Sequence, residues 1–121
     1  MKKKLPKKKV KRTTLKRKAD VLFGKLIRSR GACERCLKET SLQTSHVISR
    51  SNLHLRYDVR NALCFCGGCH MWWHKEPLEA ITWYHAVFAK DYRYLMKEKN
   101  VYEKIDYEKI INNLKMEVEK L

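Results

Sequence analysis

The chain has 121 residues and a formal charge of +15, from 28 Lys and Arg against 13 Asp and Glu. That length allows one small domain with a modest core, and the positive surplus points to a polyanionic partner, nucleic acid ahead of a membrane surface. No run of about 18 apolar residues is present, so no membrane span is expected. The first residues also lack the apolar stretch of a secretory signal.

Residues 1–12, MKKKLPKKKVKR, are almost all basic. Such a segment cannot bury apolar area and is expected to be disordered alone. It reads either as a solvated tail or as an arm whose cations, Lys7, Lys8 and Lys9 among them, neutralise phosphates. Residues 13–121 read as a single domain, with a core over 31–76 and helices over 77–121.

Thr13 or Thr14 suits the cap of a helix running to about Arg30. Leu15, Ala19, Leu22, Phe23, Leu26 and Ile27 recur at helical spacing, and Gly31 suits the left-handed position beyond the end. Residues 41–47 and 59–64 alternate like short strands. Arg50, His54, Arg56 and Arg60 lie in or beside the loop between them, and the three arginines are candidates for contacting nucleic-acid phosphates. Gly67 and Gly68 are expected at positive φ in a tight knuckle. A helix should open near Cys69, and Pro77 suits the first turn of the next. Leu78, Ile81, His85, Phe88, Tyr92 and Leu95 then predict one amphipathic helix to about Lys99, with His85 on its apolar side as a core residue. A last helix follows Asp106, with Ile110, Ile111, Leu114, Val118 and Leu121 on one side.

The five cysteines include two Cys-x2-Cys pairs, Cys33/Cys36 and Cys66/Cys69, with 29 residues between the pairs. Tetrahedral Zn²⁺ takes four ligands, and this spacing lets each knuckle present two thiolates to one ion. The odd count and the absence of a secretory signal favour zinc and a reducing compartment over disulfides. Cys64 is left over as a small buried residue. His70 and His74, at i,i+4, share one helical face and suit a common divalent metal. A histidine that merely extends past the knuckle is the plainer alternative for His74. Of Trp72, Trp73 and Trp83, two are expected in the core, and an exposed one could stack on a base.

The order His46, Asn61, His70, interleaved with the four knuckle cysteines, resembles the HNH endonucleases of the ββα-metal (His-Me finger) class. Within that class, VLFGKLIRSRGACERC, the His46-Val-Ile-Ser-Arg run and RYDVRNALCFCGGC resemble the phage NinG/Rap recombination nucleases over about residues 19–100. The resemblance implies an α+β fold, a zinc-stapled ββα-metal core flanked by N-terminal and C-terminal helices. It implies a metal-dependent DNA endonuclease that hydrolyses phosphodiester bonds, with branched recombination intermediates as substrates, in the cytoplasm of a phage's bacterial host. It makes His46 the general base, Asn61 a brace for the loop bearing it or a metal-reaching residue, and His70, with His74, the ligand of a catalytic Mg²⁺, Mn²⁺, Zn²⁺ or Ni²⁺. It departs at Ser45, where many HNH enzymes carry an Asp or His ligand. It leaves oligomeric state open, a homodimer included. The rival readings are a non-catalytic zinc module that only binds nucleic acid, and a protein adaptor using the C-terminal helices.

Overall fold

A computed structural model describes residues 11–121. Among these residues the fold is mixed α+β, five α-helices and a two-stranded antiparallel sheet. Lys7, Lys8 and Lys9, and the tail reading that rests on them, lie outside the described residues.

Helix α1 spans Arg12–Arg28 and buries Ala19, Phe23 and Ile27, one stripe at i,i+4 spacing. It starts earlier than the threonines suggest. Lys11 holds the cap position with no side-chain bond, and Arg12 lies 5.5 Å from the centre of the Tyr107 ring. Gly31 has φ +85°, as its place beyond the helix predicts.

Strands β1 (Leu42–His46) and β2 (Ala62–Cys66) pair with Leu42 opposite Cys66 and His46 opposite Ala62. The strand expected from residue 59 begins only at Ala62. The Asp58 carboxylate accepts the Arg60 N–H at 2.9 Å and folds Val59–Asn61 into a 3₁₀ turn. Helix α2 (Gly67–Lys75) opens two residues before Cys69, because Cys66 caps it, its sulfur accepting the Cys69 N–H at 3.4 Å. Gly67 and Gly68 are therefore helical, and neither has positive φ. Gly67 serves close approach instead: a Cβ there would stand 3.3 Å from the Gln43 amide nitrogen.

The single helix expected to Lys99 is two, α3 (Pro77–Val87) and α4 (Ala89–Glu98), broken at Phe88 (φ −117°, ψ 50°). Pro77 takes the first turn of α3. The buried face of α3 is Ala80 and Tyr84; Leu78, Ile81 and His85 face outward. His85 is thus an exposed residue stacked on Tyr92 (centroids 3.9 Å apart) rather than a core one. Helix α5 (Tyr107–Glu119) is capped by Asp106, whose carboxylate accepts the Lys109 N–H at 3.1 Å, and it buries Tyr107, Ile111 and Leu114.

Every residue of β2 is buried. Ala62 and Cys64 join Ala19, Phe23, Ile27, Ile111 and Leu114 in one apolar cluster. Leu63 and Phe65 join Trp73, Ala80, Tyr84 and Leu95 in the other. Alternate residues of one strand thus serve two cores, which is why β2 reads as a continuous apolar run. Burying a side chain such as Phe23, 2 % exposed, contributes about 2–3 kcal/mol.

Candidate functional site

The four knuckle sulfurs converge. All lie within 4.8 Å of one another, and Cys36 Sγ is 3.6 Å from Cys66 Sγ. Four sulfurs bound at about 2.3 Å around a tetrahedral ion stand roughly 3.8 Å apart, so the cluster can hold a metal ion such as zinc. Its electrostatics suit thiolates. Burial raises the Cys33 thiol, yet backbone N–H groups of Cys36, Cys66 and Arg35 outweigh it and bring it down to about 6. The Cys69 N–H lowers Cys66 in the same way. Burial pushes Cys69 up to about 12. Four sulfurs this close cannot all carry charge unaided, and a bound cation would take the place of the retained protons. Cys64 is fully buried, outside the cluster, its thiol raised by burial. Arg35 donates to Cys69 Sγ at 3.5 Å and lies 3.7 Å over the Trp72 ring. All three tryptophans join the aromatic packing, Trp73 and Trp83 against Phe65 and Trp72 edge-on to Trp83.

Beside this cluster α1, β1 and the start of α2 enclose an open cleft of about 490 Å³ that both His46 and His70 line. His46 stands at the end of β1, its ring 5.6 Å from that of Phe23. Its Nε2–H donates to the Arg56 carbonyl at 2.8 Å, so Nδ1 carries the free lone pair. Burial lowers its pKa below the ordinary 6.5, which keeps the ring neutral. Asn61 is fully buried and ties down the loop after His46. Its Oδ1 accepts the Ile48 N–H at 2.7 Å, and its Nδ2 donates to the Ile48 and Leu55 carbonyls, both at 3.1 Å. Asn61 thus bonds Ile48 and Leu55 of that loop and does not line the cleft.

His70 Nδ1–H donates to Gln43 Oε1 at 2.7 Å, which turns Nε2 toward His74 Nε2, 3.2 Å away. Two nitrogens bound to one ion at about 2.0–2.1 Å stand roughly 2.9–3.4 Å apart, so the pair fits a shared cation. Gln43 orients His70 from behind, as partners of ligating histidines do. Burial, then the neighbouring His74, lowers the His70 pKa. Ser45 is 1 % exposed, its hydroxyl has no partner among the described residues, and it does not line the cleft.

The arginines separate. Arg56 is 8 % exposed and bidentate to Asp20, Nε to Oδ1 at 2.9 Å and Nη2 to Oδ2 at 2.7 Å. It is an internal ion pair and is not available to nucleic acid. Against the cost of burial, Arg56 holds the Asp20 carboxyl below its usual range. Arg60 pairs with Asp58 at 3.2 Å, lies 3.4 Å over the Tyr94 ring and is not part of the cleft wall. Arg50 alone of the three lines the cleft, half-engaged by Asp20 at 3.4 Å. Sequence reasoning missed Asp20 and Gln43. Asp20 carried a signal, being the sole acid before Glu34 in an otherwise basic stretch. His54 is held between Glu98 and Glu103, each at 2.7 Å, which pins the loop to the end of α4 and to the segment before α5. Among the described residues no helix is long and apolar enough to cross a membrane.

Comparison with family models, with curated proteins and with solved structures gives no match to this chain.

Proposed function

We propose that this chain is a metal-dependent DNA endonuclease of the HNH class whose four-cysteine cluster carries structural zinc. The observation that carries the reading is one cleft lined by a neutral histidine with a free Nδ1 and by a second histidine whose Nε2 converges with that of a third. The chain order β1, β2, α2 is the order the class would need, and the +15 charge suits a polyanionic substrate.

In this reading His46 Nδ1 takes the proton of the attacking water, while the Arg56 carbonyl holds the ring's other nitrogen and so its tautomer. Asn61 fixes the loop that delivers this carbonyl, through Leu55 and Ile48. His70 and His74 hold the cation, and Gln43 sets the His70 ring. A divalent cation bound there supplies Lewis-acid stabilisation of the phosphate and of the departing oxygen. Imidazole ligands favour Mn²⁺, Zn²⁺ or Ni²⁺ over Mg²⁺. Branched recombination intermediates are the substrates to try first, on the resemblance alone.

The test is nicking of supercoiled, linear and branched DNA by the zinc-loaded chain with each of these cations. His46→Ala should lower cleavage by about 10²–10⁴-fold with DNA affinity intact. His70→Ala should lose cleavage through lost cation binding, with partial rescue by excess Mn²⁺. If no cation elicits nicking, or His46→Ala cleaves like the parent, the catalytic reading falls. The first of these results would leave a zinc-stabilised DNA-binding module.

A further inference from the structure

Gly24 sits inside α1 and is buried, a place where glycine is disfavoured relative to alanine. The reason lies one turn on. A Cβ at residue 24 would stand 2.7 Å from Arg28 Nη1, and the next nearest atoms, at 3.5 Å, are Arg28 Cζ and Nη2. The guanidinium is therefore folded back toward Gly24, its Nη1 in the space a side chain would fill, on the α1 wall of the cleft. Among the described residues Arg28 has no carboxylate partner. The other cleft arginine, Arg50, shares Asp20 with the internal Arg56. Asp20 is the one acid lining the cleft, so the wall facing His46 and His70 carries an uncompensated, planar cation.

We propose that Arg28, laid over Gly24, is the guanidinium that receives a DNA phosphodiester in this cleft; the identity of the ligand rests on the nuclease reading. A guanidinium presents two parallel N–H donors that match two phosphate oxygens, which an ammonium does not. Glycine at 24 is what lets that fork lie along the cleft wall instead of projecting from the helix. Arg28 thus fills the phosphate-binding role expected of Arg56 and Arg60.

Gly24→Ala tests this without removing any functional side chain. The methyl displaces the guanidinium and at the same time improves helix propensity, so Tm should hold or rise by about 2–5 °C. Cleavage, as kcat/KM, should nevertheless fall at least about tenfold in Gly24→Ala and by about 10²-fold in Arg28→Ala. Arg28→Lys should recover only part of the loss. Binding of a short duplex oligonucleotide, with Ca²⁺ replacing the catalytic cation, should lose about 0.9 from its salt slope in Gly24→Ala and Arg28→Ala and less in Arg28→Lys, which keeps the charge. Parental cleavage and an unchanged salt slope in Gly24→Ala would overturn the proposal. If the parent nicks no DNA, the nuclease reading fails and the salt slope alone decides: flattening in Gly24→Ala upholds the phosphate site, and no change removes it.

Discussion

Asn61→Ala measures how far the loop behind His46 depends on one side chain. Asn61 is fully buried and makes three hydrogen bonds to main chain, at 2.7, 3.1 and 3.1 Å. At about 1 kcal/mol net each, their loss costs about 3 kcal/mol. The Leu55 carbonyl keeps the Asp58 N–H as a donor at 3.1 Å, and the bonds to Ile48 are only partly buried, so no further penalty is added. The expected loss is about 3 kcal/mol, a large share of a small domain's stability. Urea unfolding of the zinc-loaded protein, followed by far-UV dichroism, reads it directly. Asn61→Asp keeps the acceptor for the Ile48 N–H but turns a carboxylate oxygen toward two carbonyls in a buried site, so once ionised it should be at least as destabilised as the alanine variant. A loss below about 1 kcal/mol for Asn61→Ala would refute the brace.

Cys33→Ser should release metal and melt the central segment, because a ligand set of this kind contributes folding energy; zinc stoichiometry and Tm report it, and Cys64→Ser should keep full stoichiometry. Burial lowers His46, so cleavage should persist as pH drops past 6.5 and decline only below it, as a pH profile of kcat/KM would show. Hydrogen bonds donated by its ring first to Glu98 and then to Glu103 raise His54, so the stability from that clamp is complete below pH 6.5 and is lost as pH rises through the raised folded value. His54→Ala should remove this alkaline decline from the Tm profile. Leu37 holds φ 69° and is 75 % exposed, so Leu37→Gly should relieve a left-handed strain of about 1 kcal/mol and raise the urea midpoint slightly.

Local chemistry made much of the framework legible. Two Cys-x2-Cys pairs, Pro77 at a helix start, Asp106 as a cap and Gly31 past a helix end each carry their own physical reason, and each stands where that reason puts it. What failed depended on partners distant in sequence. Arg56 looks like its neighbours until Asp20, on α1, claims its guanidinium. Helix α3 carries apolar residues on several sides, so Leu78, Ile81 and His85 gave a plausible stripe while packing chose Ala80 and Tyr84. The 3₁₀ turn at Val59–Asn61 hid behind alternating residues, because one carboxylate at Asp58 outweighed the pattern. In the candidate site His70 and His74 were legible by spacing and His46 through the resemblance, but Gln43 behind His70 and the seat for Arg28 on Gly24 exist only once strand, helix and α1 meet.

The shared strand β2 also orders assembly in time. Its Leu63–Phe65 side closes on helices that follow soon after it in the chain, with the cysteine cluster at its end, so that half can form as soon as the central segment exists. Its Ala62–Cys64 side needs α1 and α5 together, and the whole metal-binding segment separates those two helices. Loop closure over that distance makes this the slower half. Because α1 also forms one wall of the cleft, a chain that has already captured its metal would still lack that wall until α5 docks. A nascent or truncated chain would in that way complete its cysteine cluster before it completed its cleft.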